Sequence, residues 1–137
     1  MLERITVENG FYTDLGLSLI ALDPRQKPEE GAIYTAIASS LFPTEDASSR
    51  TVRSTMEIVI ETTLPFELDE NPELLAHRAR ADIVSVIRNN FRNQAIGITS
   101  LVVTGSQLSQ PEDGAAAVIA QVTARAGLTE TQLPAKP

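Results

Sequence analysis

The spacing of apolar positions changes along the chain, and the changes mark its elements. Across residues 71–90, NPELLAHRARADIVSVIRNN, apolar side chains recur with helical period: Leu75, Ala79, Ile83, Val86 and Ile87 form one stripe. Arg78, Arg80 and Arg88 fall mainly off it. Asn71 suits an N-cap, Pro72 the first helical position, and Glu73 complements the positive end of the helix dipole. The pattern predicts one long helix with a single apolar face, which needs a sheet to cover.

Elsewhere the period is two. Residues 17–22, LSLIAL, read as a first strand: Leu17, Leu19 and Ala21 share one face, and Ile20 and Leu22 on the other suggest burial on both sides. Residues 32–39, AIYTAIAS, read as a second, with Ile33, Thr35 and Ile37 opposite Tyr34, Ala36 and Ala38. The clearest strand is residues 51–63, TVRSTMEIVIETT. Val52, Met56, Ile58 and Ile60 take one face, and Arg53, Glu57 and Glu61 the other, so one side is buried and one wet. At about 3.3 Å per residue it reaches roughly 40 Å, longer than most strands. Residues 98–104, ITSLVVT, give a fourth strand. Residues 115–125 give a fifth, with Val118, Ala120 and Val122 opposing Ile119, Gln121 and Thr123.

Turns and loops fill the gaps. Asn9-Gly10 and residues 13–16, TDLG, are turn signals. The seven residues MLERITV are too short for a stable isolated helix, and Leu2, Ile5 and Val7 leave open a short N-terminal helix packed on the domain or the start of a strand. Residues 23–31, DPRQKPEEG, form a polar loop. Residues 40–50, SLFPTEDASSR, form a longer one that opens on Leu41, Phe42 and Pro43 and continues into Glu45 and Asp46. An apolar pair opening an acidic loop is either a packed loop root or a contact site. Strands two and three with this loop predict a hairpin that projects past the body, leaving edges that an isolated monomer must protect and that a ring would cover. QPEDG at residues 110–114 marks a hairpin connection at Asp113-Gly114. After Gly127 the tail shows no period and is expected to lie outside the domain, mobile unless a partner holds it. Strands in runs around one helix argue for an α+β fold with a mostly antiparallel sheet of about five strands, in one domain over residues 1–126.

Composition narrows the classes. Apolar residues make up 42% of the chain and aromatics 4%, with no Trp, so the core is built from Ile, Val, Leu and Ala. The absence of Cys excludes disulfides, thiolate zinc sites and a cysteine nucleophile. No signal peptide and no apolar run of spanning length occurs, which predicts a soluble chain without membrane partners. A net charge of −7 argues against a protein held to nucleic acid by phosphate contacts.

Candidate chemistry is sparse. His77 has Glu73 one turn before it and Ser85 two turns after, but no nucleophile motif; its ordinary reading is a helix-surface histidine. Glu67, Asp69 and Glu70 form an acidic run that favours the helix dipole and lacks the spacing and central glycine of a calcium loop. Asp82, inside the helix beside Ile83, either pairs with Arg78 or caps a neighbouring loop, a structural role in both cases. Glu112 and Asp113 before Gly114 are turn chemistry. No enzyme activity, metal or cofactor is expected.

Four stretches in order carry a resemblance: NGFYTDLG at residues 9–16, with Asp14 and Gly16; the strand at 51–63 after a long loop; HRARADIVSVI at 77–87, with Asp82; and EDGAAAVIAQV at 112–122, with Asp113 and Gly114. In this order and spacing, across most of residues 5–125, the chain resembles the tail terminator family of long-tailed bacteriophages. Members usually begin with a helix before the NG turn, where this chain has only MLERITVE. The resemblance implies a homo-hexameric ring on the head-proximal end of the tail tube. Such a ring stops tube growth and offers the surface that joins the tail to the head connector or head-completion protein. The implied place is the virion, after assembly in the host cytoplasm. Six copies at −7 would carry −42, so genomic DNA would pass through the lumen without being held. Leu41, Phe42, Pro43, Glu45 and Asp46 are then expected at a subunit or tube contact. The competing readings are a monomeric or dimeric α+β binding domain with its partner on the sheet, and another head–tail completion protein of the virion.

Overall fold

A computed structural model of the chain describes residues 2–21, 31–43, 51–89 and 98–131. Three short 3-10 turns, Leu2–Arg4, Val7–Asn9 and Leu15–Leu17, lead into strand β1, Leu19–Ala21. Strands β2, Tyr34–Pro43, and β3, Thr51–Pro65, follow, then a 3-10 turn at Phe66–Leu68 and helix α1, Pro72–Asn89. Strands β4, Ile98–Ser109, and β5, Ala117–Thr131, complete the sheet. Its order is β1-β2-β3-β5-β4, parallel between β1 and β2 and antiparallel elsewhere. The fold is α+β. β3 and β4 run in the same direction through the helical crossover, and β5 inserts between them, a split β-α-β arrangement.

The helix starts where its capping chemistry sits. Asn71 Oδ1 accepts the Leu74 N–H at 3.1 Å, and Asp69 Oδ1 accepts the Asn71 N–H at 2.9 Å. Its buried face is Ala76, Ala79, Asp82, Ile83, Val86 and Ile87, with Leu75 half-buried against the same core. Facing it are Ile60 and Leu64 of β3 and Ala120, Val122 and Ala124 of β5. Leu2, Ile5 and Leu15 join this cluster, so the short 3-10 turns at the N-terminus belong to the core. Among the described residues the buried cluster holds no aromatic side chain; Phe11 packs against it partly buried. Short alanines on both surfaces let helix and sheet approach closely, and each fully buried Ile, Leu or Val contributes roughly 1.5–3 kcal/mol.

One polar pair interrupts the apolar layer. The hydroxyls of Thr35 and Thr62, both fully buried on adjacent strands, lie 3.0 Å apart. Thr62→Val alone is expected to cost about 1–2 kcal/mol, because it leaves the Thr35 hydroxyl unpaired in a dry core. Adding Thr35→Val should recover most of that loss. Urea unfolding of the two singles and the double checks this, and strict additivity would contradict it.

Several boundaries differ from the sequence reading. β1 is only three residues, because Leu15–Leu17 closes a 3-10 turn that leaves Leu17 exposed. β2 continues past Ser39 and Ser40 to Pro43, paired with β3 as far as Ser54. Leu41, Phe42 and Pro43 are therefore strand residues, not the opening of a loop. Glu45 and Asp46 lie outside the described residues, as do the connections at 22–30 and 90–97. β4 runs five residues beyond Thr104. β5 runs through Gly127 to Thr131, pairing with β3 down to Thr51, so residues 127–131 are sheet and not tail. Residues 132–137 lie outside the described residues. Among those described, no helix is long and apolar enough to cross a membrane.

Candidate interaction surface

The residues singled out by sequence fall into two groups: those that hold the fold and those that face outward. Asp82 is the centre of the first. It is 2% exposed, and its two carboxylate oxygens face residues far away in sequence. Oδ1 accepts the Tyr12 N–H at 3.0 Å, while Oδ2 accepts the Thr13 N–H at 2.8 Å and the Thr13 hydroxyl at 2.6 Å. Of the two partners open to Asp82, the loop takes both oxygens and Arg78 neither. Asp14 Oδ1 accepts the Val7 N–H at 2.9 Å, closing the same segment locally. Gly16 donates its N–H to Ile5 O at 2.8 Å and passes so close to the first turn that a Cβ would lie 2.5 Å from Glu3 O. At the far hairpin Asp113 Oδ1 accepts the Ala115 N–H at 3.0 Å. Gly114, with φ of 75°, donates its N–H to Pro111 O at 3.1 Å.

The candidate chemistry does not assemble. His77 and Glu73 are exposed on α1, and Ser85 accepts a bond from Asn89 Nδ2 at 3.2 Å. Glu67, Asp69 and Glu70 are exposed, with Asp69 engaged in the helix start. Among the described residues, no three of His, Asp or Glu come together as metal ligands would.

What faces outward is more informative. The sheet has a covered face under α1 and a second face of a different kind. On the second face Glu57, Val59, Glu61, Gln121, Thr123 and Arg125 are half-buried or exposed. A chain of side-chain hydrogen bonds crosses three strands there: Gln107 Nε2 donates to Gln121 Oε1 at 2.5 Å, and Gln121 Nε2 donates to the Glu61 carboxylate Oε1 at 3.1 Å.

The two ends of the sheet also differ. At one end β2 carries Leu41 and Phe42, adjacent and therefore on opposite faces, each 54% exposed. At the other end β3 leaves the sheet, and Phe66 N–H donates to Ala116 O at 3.0 Å. Phe66, Leu68 and Leu74 are exposed there beside Glu67, Asp69, Glu70 and Glu73, with Glu112 and Asp113 in the adjoining turn. A groove of about 460 Å³ opens there, with apolar Phe66, Pro72, Leu108 and Val118 and an equal number of polar residues, Glu73 among them, in its lining.

The sequence reading marked Leu41 and Phe42 but passed over Phe66, Leu68 and Leu74. The signal for Phe66 and Leu68 was the alternation of apolar and acidic residues in FELDE, which also reads as charge before the helix. No family model matches the chain, and a search of curated proteins finds no match.

Proposed function

We propose that this chain is a tail terminator. Six copies form a ring on the head-proximal end of a phage tail tube, end its growth, and present the joining surface for the head connector. The observation that carries this reading is that exposed apolar side chains stand in unlike settings at opposite ends of one sheet. Leu41 and Phe42 stand at one end, and Phe66, Leu68 and Leu74 in an acidic setting stand at the other. A ring clamped between a tube and a connector needs two docking faces that cannot substitute for one another. A tube subunit elongates because its two unlike faces complement one another; a terminator docks by one face and offers the next tube ring no complementary surface on the other.

The resemblance gains support from Asp82. The turn segment at residues 9–16 and the helix segment at 77–87 were two separate stretches of that resemblance, and the Asp82 carboxylate joins them. The net charge of −7 per copy suits a lumen that DNA traverses without sticking.

Electron microscopy of cognate tail tubes mixed with gold-tagged protein tests the proposal. Capture at one end only is the expected result. Leu41→Ser with Phe42→Ser should leave the circular dichroism spectrum intact and weaken capture by about thirty-fold or more, the loss of roughly 2 kcal/mol at an apolar anchor. Binding along the whole tube, or no binding, contradicts the reading, and the latter favours a compact binding domain.

A further inference from the structure

Among the described residues the sheet ends in two unpaired flanks. On one flank β1 covers only Tyr34, Thr35 and Ala36 of β2, and residues 37–43 have no strand beside them among the described residues. On the other flank no strand lies beside the outer edge of β4 among the described residues. Unpaired N–H and C=O groups on an edge are a template for another strand, and isolated domains commonly blunt them with charge. Here β2, YTAIASSLFP, and β4, ITSLVVTGSQLS, contain no charged residue, whereas β3 carries Arg53, Glu57 and Glu61. Pro43 blunts only the last position of β2. The register shifts in β4, at Thr99 and Thr104, bend the strand as bulges do where sheets curl toward closure.

The two free edges match in height and direction. Ile37 is level with Ile60, Val122 and Ser106 across the sheet, and Pro43 is level with Ser54, Leu128 and Ile98. Residues 37–43 on one flank thus stand opposite residues 98–106 on the other. Three antiparallel pairings separate β2 from β4, so the two strands run in opposite directions. Copies related by rotation about an axis along the strands keep those directions. β4 of one copy then meets β2 of the next in antiparallel sense, the stronger ladder.

We propose that residues 37–43 of one copy add as a strand to residues 98–106 of β4 in the next, so that the subunit sheets join into one continuous sheet. The partner is a second copy of this chain, because both complementary edges belong to it. The contact joins unlike edges and is heterologous, which allows either a closed ring or an open filament. The inference deepens the ring reading and rests on it.

The test uses the absence of native cysteine. Val102 is 59% exposed on the open face and level with Arg125, Glu57 and Ser40, which is exposed on the same face of the opposite flank. Val102→Cys is combined in turn with Ala38→Cys, Ser40→Cys and Phe42→Cys, covering level pairing and a shift of two residues either way. After mild oxidation, one of the three is expected to give a ladder of covalent oligomers ending at six on a non-reducing gel. Single-cysteine controls should stop at dimers. No pair passing dimer overturns the edge contact. If light scattering still finds a hexamer in that case, the ring reading survives and only the edge contact fails. A ladder running past six without limit keeps the edge contact and overturns the closed ring.

Discussion

Asp82→Ala is expected to lower stability by roughly 3–5 kcal/mol, the larger of two effects centred on the N-terminal segment. The carboxylate is buried and accepts three bonds, two of them from backbone N–H groups of residues 12 and 13. Alanine leaves all three donors facing a cavity that offers no acceptor. Those donors regain partners only if the segment peels away toward water, and this uncovers Leu2, Ile5 and Leu15, which it holds in the core. For a chain of this length the midpoint of thermal unfolding should fall by about 10–20 °C. Thr13→Val, which removes one donor and leaves the other two bonds in place, should cost only about 1–2 kcal/mol. Asp82→Asn should rank near the alanine variant, since its amide turns a donor toward donors. Urea unfolding of the three variants gives the ranking. A loss under about 1 kcal/mol for Asp82→Ala would mean that the segment is not held as the geometry indicates.

Gly16→Ala should cost roughly 2–4 kcal/mol, for a steric reason and not a conformational one. The added Cβ would meet Glu3 O at 2.5 Å, Glu3 C at 2.7 Å and Ile5 O at 2.8 Å. All three are backbone atoms and cannot step aside by changing rotamer. The first turn must move outward, and the Gly16 N–H to Ile5 O bond lengthens or breaks. Gly10→Ala is the control. It has φ of 92° and nothing within 4 Å of an added Cβ, so it should cost only about 1 kcal/mol, from the left-handed backbone alone. Amide exchange separates the two variants, because Gly16→Ala should selectively deprotect the Ile5 and Gly16 amides. Equal stability of Gly16→Ala and the parent chain would refute the close approach.

Much of the fold was legible because local pattern and burial agree. The stripe from Leu75 to Ile87 predicted α1 to within a residue at each end, since Asn71 caps it and one face alone is buried. The alternation in β3 and β5 was readable because Ile60, Leu64, Ala120 and Val122 face the helix while Glu61 and Gln121 face away. Local pattern fell short where pairing is decided at a distance. Ser40 and Pro43 look like loop residues, yet β3 offers a partner out to Ser54 and holds them in a strand. Gly127 looks like a stop, but β5 is flanked by β3 and β4 at that point and continues. The buried acid at position 82 was visible in the sequence. Its choice of the loop over Arg78 was not, because the deciding donors lie 69 and 70 residues away. The outward-facing surface was legible only in part. Leu41 and Phe42 were marked as an apolar pair, but their placement on both faces of an edge strand, and the second patch at Phe66, required the topology.

The central claim is that this chain closes into a ring of six. The mass of the purified protein by light scattering behind a sizing column, followed as concentration rises, tests it most directly. A ring of six gives a discrete species of about 89 kDa, six times 14.8 kDa, that stays constant once formed. A mass of 14.8 kDa at every concentration, or one that climbs without a plateau, would contradict it.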